Sequence, residues 1–213
     1  MRLVLLFAAV AGTACPQILS VGVKGGVPLT DAIDAASNQS VRYISNTKRY
    51  LVGPTVELNL PLHVSIEFDA LYRRENYESR TNLIDGFSTG ATTANSWEFP
   101  LLLKWRFSGG PIRPFVDAGF SFDKLSDIHQ LTRTFIAPNL NTSTTTDQPP
   151  ELRNTFRAGG TIGAGIELGA RHLRVAPEIR YTRWGRENFR DLTTGGILHS
   201  NDNEASFLLG ITF

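Results

Sequence analysis

The chain has a single cysteine, Cys15, which excludes an internal disulfide, a cysteine zinc centre and a paired-cysteine redox motif. Charge of one sign is also lacking. Twenty-one basic residues against 20 acidic ones leave a net charge of +1, too weak a field to gather nucleic acid, so no nucleic-acid partner is expected. After position 15 nothing approaches the ~20 consecutive apolar residues of a membrane-crossing helix. Amphipathic helical periodicity is missing from the same region. The four histidines are scattered, so neither a metal site nor a cofactor is expected. What is present is 213 residues, 41% of them hydrophobic, enough for one domain with a substantial core.

The amino terminus has the order of a secretory signal peptide: Met1-Arg2 as a positive start, Leu3 to Gly12 as an apolar run, and Thr13-Ala14-Cys15 as a small-residue exit. Residues 1–15 are therefore expected to export the chain, with cleavage near Ala14, leaving 16–213 as the mature domain. Cys15 is open to a second reading, as the lipidated first residue of a lipoprotein, although Gly12-Thr13-Ala14-Cys15 lacks the leucine usual three positions earlier.

Beyond that segment the pattern has a period of two. Trp97, Phe99, Leu101, Leu103, Trp105 and Phe107 share one phase, against Ser96, Glu98, Pro100, Leu102, Lys104 and Arg106 in the other. Val64 to Tyr72, Ile112 to Phe122 and Phe156 to Leu168 carry the same two-phase code, as do weaker stretches at Leu19 to Val23, Val52 to Leu60, Leu173 to Tyr181 and Ala205 to Phe213. That makes eight strands. Their connections alternate in length. Short ones fall around Pro61, at Ser108-Gly109-Gly110-Pro111 and at Gly169-Ala170-Arg171-His172; long polar ones run from Pro28 to Lys48, Glu75 to Asn95, Lys124 to Arg153 and Gly185 to Asn203.

Alternation alone does not say whether the oily face lines a cavity or meets lipid. The opposite phase decides it. Gly159, Gly163 and Gly165 would weaken a water-exposed strand face, and a soluble surface would carry more lysine than the four present. Placed inside a barrel, those glycines are spacers in a crowded lumen, and the aromatics near strand ends, Tyr72, Trp97, Trp105, Phe122, Tyr181 and Phe213 among them, suit interfacial girdles. The expected fold is all-β: an eight-stranded antiparallel up-and-down transmembrane β-barrel with four long extracellular loops and three short periplasmic turns.

With its export segment, eight alternating strands and a final strand Ala205-Ser206-Phe207-Leu208-Leu209-Gly210-Ile211-Thr212-Phe213, the chain resembles the small OmpA/OmpX-type outer-membrane β-barrel family. The resemblance covers the whole mature chain by pattern rather than by an internal motif. It implies location in a bacterial outer membrane, a monomer among outer-membrane lipid and lipopolysaccharide, and a terminal aromatic, Phe213, that resembles the signal read by that family's assembly machinery. The sequence stops where the barrel does, so cell-wall tethering through an appended domain is not expected.

The inward phase collects Lys24, Glu57, Glu67, Asp69, Glu98, Lys104, Arg106, Arg113, Asp117, Asp123, Arg157, Glu167, Arg174, Glu178 and Arg180. In an eight-stranded barrel these are expected to pair into a rigid plug. Seventeen arginines outnumber the lysines, and arginine's planar fork suits phosphate. Arg73, Arg74, Arg183 and Arg186, at the long-loop ends, are candidate contacts to lipopolysaccharide phosphate. Solvated loop charge balanced by neighbouring acids is the competing reading. His63 with Ser65, assigned by phase to the lumen near the periplasmic turn and so away from the outer leaflet, and His199 with Ser200, adjacent in a long loop with no fixed orienting acid, are poor candidates for a lipid A-deacylating pair. The run Asn141 to Asp147 reads as a flexible loop tip. The resulting expectation is a non-catalytic barrel with a structural or surface-interaction role. A minor solute pore and a lipid A-modifying enzyme are the alternatives.

Overall fold

The computed structural model describes residues 18–35, 41–107, 110–138, 140–170, 173–191 and 198–213. Residues 1–15, with Cys15, on which the expected export signal falls, and parts of two short turns at 108–109 and 171–172, lie outside the described residues. In chain order the strands are β1 (Leu19–Pro28), β2 (Ile33–Ala35), β3 (Val41–Ser45), β4 (Leu51–Asn59), β5 (Val64–Asp69), β6 (Leu71–Leu83), β7 (Gly86–Arg106), β8 (Ile112–Ile136), β9 (Leu140–Thr146), β10 (Phe156–Ala170), β11 (Leu173–Trp184), β12 (Leu198–Ser200) and β13 (Asn203–Thr212). All pairings between them are antiparallel.

Eight staves close the barrel. β1 pairs with β4 on one side and β13 on the other, and the circuit runs on through β5–β6, β7, β8, β10 and β11. β5 and β6 form one stave interrupted only at Ala70, whose N–H donates to the Pro54 carbonyl at 3.0 Å. There the neighbouring strand comes so near that a Cβ on Gly53 would stand 1.7 Å from the Ala70 oxygen, so this close approach requires glycine. The Pro61-Leu62-His63 turn places both Leu62 and His63 at positive φ, 65° and 63°, a left-handed pair that fits hairpin twist without the usual Asn-Gly sequence.

The two faces differ sharply. Phe120 is 66% and Ile162 59% exposed, whereas Glu67 and Arg157, in the opposite phase, are 2% and 1% exposed. A wall that is apolar outward and charged inward has lipid as its solvent. Aromatic side chains mark the ends of this band. Tyr72 and Trp97 lie 5.2 Å apart and Phe122 and Phe156 6.2 Å apart toward one end, with Trp105 and Phe107 5.0 Å apart toward the other.

Three of the segments read as long polar loops are largely built as β-structure instead. β6 and β7 continue past the aromatic belt as a paired ribbon that turns at Ile84-Asp85, and β8 runs on to meet β9. Together they make a sheet ordered β3-β6-β7-β8-β9 beyond the barrel wall. The stretch Asn141 to Asp147 is accordingly mostly strand β9, paired with β8 from Gln130 to Ile136, not a flexible tip. The lipid-facing code ends where lipid ends, so the ribbon is polar on its outer face and loses the oily phase that marks the staves. Its threonines and aromatics, Phe87, Thr89, Thr92, Thr93, Thr132, Thr134 and Phe135, are the remaining strand signal. A bulge at Asp127, φ 47°, slips the register between Thr93 and Asn95. It reverses the phase, so that Ile128 and Gln130 face the same buried side as Leu125.

Candidate functional site

Inward side chains fill the barrel as two ion-pair clusters, and between them lie three leucines on one side and a hydroxyl chain, Ser121–Thr161 at 2.7 Å and Thr161–Thr182 at 3.0 Å, on the other. Glu67 is the hub of the first cluster. It accepts from Lys24, Lys104 and, at 3.0 Å, Arg180. Arg180 also reaches Asp69 at 2.9 Å and Glu178 at 2.6 Å, and Lys24 reaches Glu178 at 3.0 Å. Toward the short turns this cluster continues into Arg106, which bonds Glu57 and, at 2.9 Å, Glu167; Arg113 meets Glu167 at 2.8 Å, and Arg174 stands 4.0 Å from it. Asp117 and Glu98 are buried in the same lumen with no ion pair among the described residues. Leu51, Leu71 and Leu208 are those leucines, packed together and buried. The second cluster joins Arg73 to Glu204 and Glu75, and Arg157 to Glu204 at 2.7 Å and Asp123 at 2.8 Å. Ser96 and Asn188 donate to the remaining lone pairs of Asp123, and the Arg157 guanidinium lies 4.2 Å from the Trp184 ring centre. Paired, hydrogen-bonded charges of this kind tolerate burial that single ones would not.

Above the second cluster all four excursions meet. Ile33 from the first, Tyr77 and Ala94 from the second, Leu125 and Ile128 from the third and Phe189 and Leu198 from the fourth form one buried apolar core. The short β2–β12 sheet lies beside it. Two acids are buried at this core, Asp191 beside Tyr43 and Glu151, which accepts from Tyr43 at 3.3 Å, Tyr77 at 3.2 Å and Gln130 at 3.3 Å. Burial, and then the Glu151 carboxylate, push both phenols above their ordinary range, so they stay protonated donors. No sequence signal announced this cap, because its members come from segments with no shared period.

Of the rim arginines, Arg73 requires a correction. It points into the barrel, buried, and its guanidinium is taken up by Glu204 and Glu75; its odd-numbered phase is that of Asp69 and Leu71, so it does not reach lipopolysaccharide. Arg74, Arg183 and Arg186 are exposed on the outer surface. Arg74 stands two residues past Tyr72 and Arg183 two past Tyr181, which places both just beyond the aromatic belt. Lys124, two past Phe122 and exposed, shares that level; extending the β8 alternation through Phe122 would have found it.

A family model described as outer membrane protein beta-barrel domain matches residues 16–185. The chain belongs to that family. The outer membrane protein OprG of Pseudomonas aeruginosa shares the fold, with a TM-score of 0.55 at 12% identity over 91% of this chain and 92% of that one. Neisserial surface protein A gives a TM-score of 0.41 at 9% identity, over 91% and 95% of the two chains. A comparison with curated proteins finds no match. In outer-membrane barrels the longer excursions face the exterior and the short turns the periplasm. The capped mouth of this family member is thus its outer end. Phe213 ends the last strand on the periplasmic side, its side chain outward and its N–H donating to Val21 at 2.9 Å.

Neither histidine–serine pair is assembled. His63 lies exposed in the short turn, not in the lumen as its phase suggested, because the left-handed turn residues break the alternation. Ser65 is buried and engaged by Glu57 and, at 3.0 Å, by Arg106. His199 is half-exposed beside Asp34 at 3.5 Å, while Ser200 is buried and its Oγ accepts from the Phe189 N–H at 2.9 Å. Adjacent on a strand, these two side chains point to opposite faces.

Proposed function

We propose that this family member is a sealed, non-catalytic barrel of the bacterial outer membrane that acts through its external surface, with residues 1–15 as its export signal. The observation that carries this reading is the filled interior: two ion-pair clusters, leucines and a hydroxyl chain between them, and an apolar cap above. A solute path would need these buried charges to part, at a cost of several kcal/mol for each pair broken, on the order of 3–5. The purified protein in planar bilayers is expected to give no stepwise conductance at 100 mV. Discrete openings that reproduce with the Arg180→Lys variant would instead support the pore.

The outward arginines carry the positive half of the proposal. Arg74, Arg183 and Arg186 stand free of ion pairs among the described residues, and two of them lie at the level of lipid headgroup phosphates. Guanidinium forks bind phosphate bidentately, so these residues hold lipopolysaccharide against the barrel. Combined substitution Arg74→Gln, Arg183→Gln and Arg186→Gln is expected to lower lipopolysaccharide co-purifying with the folded barrel several-fold. Retention equal to wild type would dismiss the clamp.

A further inference from the structure

The ribbon beyond the membrane carries a second basic feature, higher and differently built. Arg42 of β3 lies directly opposite Arg80 of β6, Arg80 opposite Thr89 of β7, and Thr89 opposite Arg133 of β8. Three arginines therefore stand in one cross-strand row on the outer face, all exposed. At ~4.8 Å between neighbouring strands, the row spans about 14 Å. Among the described residues none of the three has an ion-pair partner. Arg80 lies 4.8 Å over the Phe87 ring centre, a cation–π contact. Among the described residues that line the row, the one acid is Glu78, which accepts from Asn46 Nδ2 at 3.1 Å. Like charges directly opposite destabilise a sheet, so Arg42 facing Arg80 weakens the free protein, and a bound anion removes that repulsion.

The next register row is Ile44, Glu78, Ala91 and Leu131. Both rows line a cleft of about 360 Å³. A strip of cations beside a mostly apolar floor suits an extended ligand that has anionic substituents along one edge and non-polar ring faces beneath. Height selects its source. Arg80 is eight residues past the belt residue Tyr72, about 26 Å of strand and roughly 20 Å above the belt at a barrel's usual tilt. Phosphates of the protein's own lipid neighbours lie well below. We propose that the row Arg42, Arg80 and Arg133 binds a polysaccharide carrying sulfate or phosphate esters, presented from outside the cell.

The test uses the full mature chain refolded in detergent free of lipopolysaccharide, with dextran sulfate as the probe and neutral dextran as its control. Wild type is expected to bind dextran sulfate and not dextran, with affinity falling steeply as salt rises, because each neutralised anion releases a counterion. Arg42→Gln, Arg80→Gln and Arg133→Gln together should weaken binding at least ~20-fold and flatten the salt dependence by about two to three counterions. The single variant Arg133→Gln should show an intermediate loss, and heat-modifiable gel mobility checks that each variant is folded. The rim variant Arg74→Gln, Arg183→Gln, Arg186→Gln should bind dextran sulfate as wild type does, while the row variant, purified folded from outer membranes for this arm, should retain lipopolysaccharide as wild type does. These two arms separate failure of this site from failure of the rim clamp. Wild-type affinity in the row variant, loss of dextran sulfate binding in the rim variant, or loss of lipopolysaccharide from the row variant would each overturn the proposal.

Discussion

Replacing Arg180 by methionine is expected to leave the barrel largely unable to refold in detergent, with the heat-modifiable gel shift lost or its urea midpoint sharply lowered. Arg180 is almost fully buried, and its guanidinium meets three carboxylates at once: Glu67 at 3.0 Å, Asp69 at 2.9 Å and Glu178 at 2.6 Å. Without it those carboxylates keep, among the described residues, Lys24 and Lys104 as ion-pair partners. Removing one partner from a buried ion-pair cluster costs about 3–5 kcal/mol, because the charges left behind are desolvated and uncompensated. Against a typical total stability of about 5–15 kcal/mol, that is a large fraction. Two companion variants separate charge from shape. Arg180→Lys keeps the charge but replaces the planar fork with a point ammonium, so its loss should be intermediate. Adding Asp69→Asn to Arg180→Met removes one orphaned charge and should recover part of the midpoint. An Arg180→Met barrel as stable as wild type would mean that water, not Arg180, solvates these carboxylates, and the sealed-lumen reading would fail with it.

The sequence made the membrane-spanning part legible because lipid imposes a two-phase rule on every outward residue there. Leu101, Leu103 and Ile162 could be assigned to one face, and Glu67, Lys104 and Arg157 to the other, from parity alone. Beyond the belt that rule no longer operates. Glu75, Tyr77 and Ser79 alternate with Arg74, Asn76 and Glu78, a mixture in which neither phase is oily, so a regular ribbon reads as a loop. The bulge at Asp127 adds a phase reversal. Arg73 was misplaced for a related reason: beside Arg74 it looked like half of an exposed basic pair, although two successive strand residues must face opposite ways. The cap was out of reach altogether, since Ile33, Tyr77, Ile128 and Phe189 meet through the closure of the barrel rather than through any local pattern. Which carboxylate meets which cation likewise depends on barrel register, as Lys24 meeting Glu178 across 154 residues illustrates.

Placing a charge on the lipid face should have an equally large effect, but one set by depth. Ile162 on β10 is outward and 59% exposed; its ladder partners are Ala118 and Tyr181, and it lies midway between Phe156 at the outer belt and Leu168 near the periplasmic end. Arginine at the midplane of a transmembrane barrel costs about 2–4 kcal/mol, falling to about 0–1 near the interfaces. Ile162→Arg should therefore lower the refolding free energy in phospholipid vesicles by the larger amount and Phe156→Arg by the smaller. Bilayer thickness supplies the discriminating axis, because a thinner membrane brings headgroups closer to residue 162 and lets the guanidinium reach them. The Ile162→Arg penalty should shrink as acyl chains shorten. Gly163→Arg, one residue along, provides the contrast. Position 163 faces the lumen, where a Cβ would stand 2.4 Å from Asp117 Oδ1, so its cost is steric and should not follow bilayer thickness. Equal penalties at 156 and 162 in every lipid would mean that the wall between the belts is not solvated by hydrocarbon.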